Sequence, residues 1–120
     1  MRIVSVLENQ LIEKRIAITP EIAKKYISLG FEVSLAENYA DHLGIQDNIY
    51  KELGVTISNN EKEIINSADV VVQLGLPSDD KSSLLKENQT LIGVLNPYDN
   101  QSKINDLVKK NINFFSLELL

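Results

Sequence analysis

Thr19-Pro20-Glu21-Ile22-Ala23-Lys24-Lys25-Tyr26-Ile27-Ser28-Leu29-Gly30-Phe31-Glu32-Val33-Ser34-Leu35-Ala36 reads as a helix handed directly to a strand. The threonine hydroxyl can accept from the free amides of a first helical turn. Proline suits the first helical position, and glutamate faces the positive end of the helix dipole. Ile22, Ala23, Tyr26, Ile27 and Leu29 share one face at helical spacing. Gly30 stops the helix, because it takes the left-handed conformation that ends helices at no steric cost. Phe31, Val33 and Leu35 then alternate with polar residues, the period of a strand.

The same alternation extends outward in both directions. Upstream, Arg2–Leu7 is a short β-branched run that reads as a first strand, and Asn9–Lys14 is a polar loop. Downstream, Glu37–Gly44 is a loop, and Ile49, Tyr50 and Leu53 mark a short helix ended by Gly54. Val55–Ile57 is a third strand and Glu61–Asn66 a further helix. Asp69–Leu76 is nearly continuous apolar sequence around Val70-Val71-Val72, as expected of a strand covered on both faces. Pro77-Ser78-Asp79-Asp80 is a turn and cap before a helix with Leu84 and Leu85. Thr90–Leu95 is a strand, Asn100 or Ser102 caps a helix through Ile104, Leu107 and Val108, and Ile112–Leu120 is a last strand. Strand–helix repetition of this kind predicts the α/β class: an open, mostly parallel sheet with helices on both faces, flavodoxin-like or Rossmann-like, in three layers.

The bulk numbers fit a single lobe over residues 1–120. The hydrophobic fraction is 43% and the charged fraction 24%, ordinary for a globular domain. A net charge of −5, with lysines scattered rather than clustered, argues against a nucleic-acid partner. No apolar run approaches the roughly 20 residues of a membrane span, so direct membrane insertion is not expected. There is no cysteine, which excludes disulfides and thiolate chemistry and makes a reducing cytoplasm the default. The lone His42 cannot build a histidine metal site, and no metal is expected. The closing run Phe114-Phe115-Ser116-Leu117-Glu118-Leu119-Leu120 has the pattern of a buried strand with nothing after it to cover it. It reads as the cut edge of a longer protein; the alternative is an edge strand closing a free-standing domain.

None of the five glycines forms G-x-G, so the chain has neither a dinucleotide fingerprint nor a P-loop. It is not expected to hold a dinucleotide tightly by itself. The richest spot is the loop before the long helix, where Glu8, Glu13, Arg15 and Thr19 flank the switch from strand to helix. Ligands of open α/β sheets sit beyond the carboxyl ends of the strands. Arg15 there can clamp a carboxylate or phosphate through two parallel bonds, or pair with Glu8 or Glu13 and merely tie the loop. Lysines outnumber arginines ten to two, which makes each arginine a better candidate than usual. Gln73 interrupts the Val70–Leu76 run; a buried amide must find partners or cost about 1–3 kcal/mol. It either meets a polar ligand at the strand's end or is satisfied within the core. Asp79-Asp80 reads as helix capping. Tyr39 and His42 lie in a polar loop and are expected to be exposed.

Glu8 and Glu13-Lys14-Arg15-Ile16-Ala17-Ile18-Thr19-Pro20-Glu21 resemble the opening signature of the alanine dehydrogenase and nicotinamide nucleotide transhydrogenase family, roughly K-E-x(4)-E-x-R-V-A-x-[ST]-P. The likeness continues at Leu29–Val33, Gln46-Asp47, Gly54-Val55, Ala68–Val71, Leu76–Asp80, Gln89–Ile92 and Asn96-Pro97. Pro77–Asp80 and Asn96–Asn100, the latter without the histidine that alanine dehydrogenases carry there, resemble the transhydrogenase branch.

The resemblance implies a two-lobed protein with a nucleotide cleft between Rossmann-like lobes, of which this chain is the first. The glycine-rich NAD fingerprint would belong to a second lobe beyond Leu120. Hydride would pass between NAD(H) on this component and NADP(H) on another, coupled to proton movement through a membrane component. The implied partners are therefore the second NAD-binding lobe, the NADP-binding and membrane components, and a second copy in a homodimer. The implied location is the bacterial cytoplasm, peripheral to the inner membrane. In alanine dehydrogenases the arginine matched by Arg15 holds the substrate carboxylate, and a lysine stands where this chain has Gln73. Gln73 lacks that charge, which argues against amino-acid dehydrogenase chemistry. Val6, Leu7, Ile12 and Asn38-Tyr39-Ala40-Asp41 also depart from the pattern, the last replacing a Gly-Ala-Gly turn. Two rivals remain: an alanine or saccharopine-type dehydrogenase lobe, and a non-catalytic flavodoxin-like interaction module.

Overall fold

Two helices of this chain end in the same hydrogen-bonded turn, and that turn sets the direction of the strand that follows. Described in a computed structural model are residues 1–8, 15–74, 85–93, 105 and 109–116. Helix α1 (Pro20–Ser28) starts at Thr19, whose hydroxyl accepts from Ile22 N at 3.3 Å. It ends with Gly30 at φ 93°, Gly30 N bonded to Ile27 O at 3.0 Å and Phe31 N to Tyr26 O at 3.1 Å. That bond pair is a Schellman motif, and Tyr26 and Phe31 supply its apolar contact, edge to face at 6.4 Å. Helix α2 (Asp47–Glu52) closes in the same way: Gly54, at φ 96°, bonds Lys51 O at 3.0 Å, and Val55 N bonds Tyr50 O at 3.1 Å. In both, the chain leaves the helix aimed back at the sheet. Helix α3 (Glu61–Ser67) is capped by Asn60, whose side chain accepts from Glu63 N.

The strands are β1 (Arg2–Ser5), β2 (Glu32–Ala36), β3 (Thr56–Ser58), β4 (Val70–Val72), β5 (Thr90–Gly93) and β6 (Asn113–Ser116). They form one six-stranded sheet in the order β3-β2-β1-β4-β5-β6, and every pairing is parallel. This is the doubly wound Rossmann order, so of the two expected arrangements the flavodoxin-like one is not adopted. The expected loop Glu37–Gly44 contains one 3₁₀ turn, Asp41–Leu43. The helices expected around Leu84-Leu85 and through Ile104, Leu107 and Val108 lie largely outside the described residues.

Strand alternation splits the core in two. Ile3, Val33 and Leu35 face one side and pack with Ile18, Ala23, Tyr39, Tyr50 and Val55, beneath α1 and α2. Val4, Ala36, Val71 and Leu91 face the other side and pack with Ile64, Ile65 and Ala68 of the α3 region, together with Leu85 and Ile112. Helices thus cover both faces, as the near-continuous apolar β4 requires. Gln89 fastens the second face: its Nε2 donates to Ile65 O and Ala68 O at 2.6 and 2.8 Å, and its Oε1 accepts from Lys86 N at 2.6 Å.

Leu91 is fully buried in β5, on the α3 face. Leu91→Ala is expected to cost about 3 kcal/mol in urea unfolding with an unchanged m-value, from lost burial plus a residual cavity. A loss below about 1 kcal/mol contradicts this division of the core.

Candidate functional site

In this strand order the sheet reverses its winding between β1 and β4. The chain leaves β1 toward α1 on one face, whereas β4 is reached from α3 on the other. A crevice must therefore open beyond the carboxyl ends of these two strands, where ligands of such folds bind. The β1–β4 ladder registers Ile3 with Val70 and Val4 with Val71. Just past it, the backbone amide and carbonyl of Val6 need partners in a buried place, since Val6 is 1% exposed.

Gln73 supplies both. Val6 N donates to Gln73 Oε1 at 2.7 Å, and Gln73 Nε2 donates to Val6 O at 3.1 Å. The side-chain amide thus pairs with Val6 as a peptide unit would, carrying the pairing past the last ladder position. Its backbone N donates to Ile92 O at 2.9 Å, which ties the same residue to β5. The second Nε2 hydrogen goes to Glu8 Oε1 at 3.1 Å, and Oε1 also lies 3.0 Å from Ser5 Oγ. Three of the four hydrogen-bonding positions of the amide are thus filled from within the chain, and the fourth, on Oε1, lies beside the Ser5 hydroxyl. Glu8 Oε1 takes Leu74 N as well, at 2.5 Å, so the carboxylate folds back over the end of β4.

Ser5 Oγ continues the network onto the α1 face. It lies 2.6 Å from Val72 O and 2.8 Å from the Tyr39 hydroxyl. The proton order follows from counting. The Tyr39 hydroxyl accepts from Ala17 N at 3.1 Å and Ile18 N at 3.2 Å, which fills its lone pairs. Its own proton therefore goes to Ser5 Oγ, and the serine proton goes to Val72 O, with Gln73 Oε1 alongside. Tyr50 completes the arrangement by donating to Ile18 O at 2.9 Å, its ring edge to face with that of Tyr39 at 6.2 Å. Ile18 is held by both backbone polar groups, one on each phenol.

Tyr39 is a correction to the sequence reading. Expected in solvent, it is 1% exposed, while its neighbour His42 is exposed. The physical reason is Asn38, which takes the left-handed conformation at φ 61° with its N–H held by both Asp47 carboxylate oxygens at 3.1 Å. Asparagine tolerates that conformation, so a polar loop turns its next residue inward. Burial raises the Tyr39 pKa against the opposing effect of its hydrogen bonds to Ser5, Ile18 and Ala17, with the charge of Glu8 adding to the rise. Burial also raises Tyr50, aided by Tyr39 and by the charge of Asp47. Both hydroxyls stay protonated, as their donor roles require.

The candidates named from sequence fall unevenly. Gln73 and Glu8 meet at the switch point. Thr19 is the α1 cap, and Arg15 is exposed two residues before Ala17. Glu13, Asp79 and Asp80 lie outside the described residues. Sequence reasoning misses Ser5, Tyr39 and Tyr50 as site residues; the one signal for Ser5 is a small polar residue inside a β-branched run. Among the described residues no group of three His, Cys, Asp or Glu side chains could hold a metal ion. A hollow of about 450 Å³ lies against α3, lined by Asn60, Lys62, Glu63, Asn66 and Ser67. Another of about 310 Å³ lies past β2 and β3, lined by Glu37, Asp47, Lys51, Ile57, Ser58 and Asn59. Neither is lined by Ser5, Gln73 or Tyr39. The network at the switch point is a rigid platform with no activated nucleophile.

The sequence pattern of the family described as "Alanine dehydrogenase/PNT, N-terminal domain" matches residues 6–120. Two relatives are each named as the first part of NAD(P) transhydrogenase subunit alpha. The chain is 35% identical over 124 residues to the one from Rickettsia prowazekii, covering all of this chain and 32% of that protein. It is 30% identical over 125 residues to the one from Rhodospirillum rubrum, again covering all of this chain and 33% of the other. Among solved structures, the transhydrogenase from Sinorhizobium meliloti superposes with a TM-score of 0.90 at 27% identity, over 98% of this chain and 35% of that one. An L-alanine dehydrogenase superposes with a TM-score of 0.89 at 19% identity, over 97% and 32% of the two chains, a likeness of fold alone. The chain thus spans about a third of the length of each of these relatives.

The buried phenols imply an alkaline limit. Their folded pKa values lie above the ordinary 10.0 of the unfolded chain, so their contribution is complete below that value. It is lost as pH rises above it, because the unfolded state then releases protons that the folded state keeps. Urea midpoints measured from about pH 8 to about pH 11 are expected to fall more shallowly in Tyr50→Phe than in the unaltered chain. Equal slopes contradict the assignment.

Proposed function

Because the chain belongs to the alanine dehydrogenase/PNT N-terminal domain family, we propose that it forms the first lobe of the NAD(H)-binding component of an NAD(P) transhydrogenase. In this reading the complete component passes hydride between NAD(H) and NADP(H), and this lobe supplies one wall of the nucleotide cleft and a share of a homodimer surface. The observation that carries the reading is the match of the whole chain to two proteins named for NAD(P) transhydrogenase subunit alpha. The Rossmann strand order supports it.

The chain's own residues do not fit a dinucleotide. A dinucleotide site on such a sheet needs a tight glycine turn that brings a helix N-terminus close behind β1. Here residues 6–19 separate β1 from α1, none of them glycine, and the Gln73 amide and Tyr39 phenol occupy the switch point. The coenzyme is therefore assigned to a second lobe, and the lobe described here faces it. Arg15 is the proposed contact to an anionic group in the cleft, and Gln73 acts from behind by fixing the cleft wall. A neutral Gln73, bonded to Val6 and Glu8 within the chain, favours the transhydrogenase over an amino-acid dehydrogenase, whose substrate carboxylate calls for positive charge. The proposed partners are the second lobe and the NADP-binding and membrane components. No helix among the described residues is long and apolar enough to cross a membrane. The proposed place is the cytoplasmic side of the inner membrane, held there through those components.

The test uses the full-length protein with its NADP-binding component. Hydride transfer from NADH to an NADP⁺ analogue is expected, with no measurable NADH binding by the 120-residue chain alone in a calorimetric titration. Arg15→Ala in the full-length protein is expected to lower kcat/KM for NADH about tenfold, chiefly through KM, a loss of roughly 1.4 kcal/mol. Robust NADH-linked amination of pyruvate, or micromolar NADH binding by the isolated chain, overturns the reading.

A further inference from the structure

We infer that Tyr39 is a positioning residue: with Tyr50 it clamps the backbone of Ala17 and Ile18 and thereby sets the place of Arg15 on the cleft wall. The inference rests on the proposed transhydrogenase reading and adds to it a residue from outside the loop that carries the contact.

Three observations support it. First, the Tyr39 hydroxyl gathers the chain from three directions: the segment before α1 through Ala17 N and Ile18 N, β1 through Ser5 Oγ, and the turn after β2 that carries the ring itself. Second, the clamp is two-sided. Tyr50 takes the carbonyl of the residue whose amide Tyr39 accepts, and the two rings brace each other edge to face. The peptide units on both sides of Ile18 are thus fixed by groups that are 0–1% exposed. Third, the reach is short. Arg15 and Ala17 are two residues apart, and two residues span at most about 7 Å of extended chain. With Ala17 N anchored, the backbone of Arg15 cannot wander farther than that from the network.

The stability role of the phenols does not account for the whole arrangement. A ring buried for its apolar area alone needs only to bring its hydroxyl to one partner. Tyr39 instead collects two consecutive amides of an irregular segment, and that segment leads directly from Arg15 into the Thr19 cap.

The experiment compares Tyr39→Phe, Tyr50→Phe and the core control Leu91→Val with the unaltered full-length protein, together with its NADP-binding component. Two quantities are read: hydrogen exchange at the amides of Ala17 and Ile18, and KM for NADH beside kcat in the hydride-transfer assay. Tyr39→Phe is expected to speed exchange at both amides about tenfold and to raise KM for NADH about fivefold with kcat within about twofold, an unmade buried bond being the cause. Tyr50→Phe, which frees the Ile18 carbonyl alone, is expected to raise KM about twofold, and Leu91→Val to leave KM unchanged. If Tyr39→Phe does not fold, the Tyr50→Phe result decides, and an unchanged KM there overturns the inference. Faster exchange with an unaltered KM also overturns it, as does an equal KM rise in Leu91→Val. An unaltered full-length protein without hydride transfer overturns the transhydrogenase reading, and the inference falls with it.

Discussion

A parallel sheet wound in both directions leaves a gap where its two halves part, and in this chain the gap is bridged by one side-chain amide. Past the β1–β4 ladder, Val6 is buried with its N–H and C=O turned toward a strand that has ended. Each such group left unmade costs about 1–3 kcal/mol, a large share of the marginal stability of a small domain. Gln73 meets both at 2.7 and 3.1 Å, with its other Nε2 hydrogen given to Glu8 and Ser5 Oγ beside its Oε1. The rest of the network hangs from this bridge. Glu8 folds back over β4, Ser5 is oriented toward Val72 O, and Tyr39 can give its proton to Ser5 because it takes two from Ala17 and Ile18.

That arrangement explains what the lobe can offer chemically. A hydrogen-bonded amide and two protonated phenols do not act as nucleophiles. They do fix the geometry of three chain segments that leave the sheet at its carboxyl end. A wall of this kind suits a cleft completed by a second lobe, where catalytic rate depends on how well groups are held rather than on how reactive they are. The chain spans about a third of the length of each of these relatives.

Much of this is readable from residue order. The Thr19-Pro20 start and the Gly30 and Gly54 stops are local effects that involve only neighbouring residues, and all three form as expected. The strands of the sheet are likewise marked by apolar alternation or by a continuous apolar run. Strand order is not readable, because flavodoxin-like and Rossmann-like sheets use the same local pattern and differ only in long-range pairing. Gln73 is conspicuous as an amide in an apolar run, but its partner is the backbone of Val6, and backbone groups carry no sequence signal. Tyr39 is misplaced by the sequence reading because polar neighbours suggest solvent. The left-handed turn at Asn38, held by Asp47, reverses that inference. The same four residues, Asn38 to Asp41, are where the sequence departs from the Gly-Ala-Gly turn of the family resemblance, so the departure brings in a side chain that the core uses.

The Gln73 bridge is tested most directly by nuclear magnetic resonance of the labelled protein, through the scalar coupling that a hydrogen bond transmits from the Val6 amide nitrogen to the Gln73 side-chain carbonyl carbon. A resolved coupling, with the Gln73 amide protons exchanging far more slowly than those of exposed glutamines, is the expected result. Absence of the coupling together with solvent-like exchange of those protons means that the switch point is held by something else, and contradicts the account.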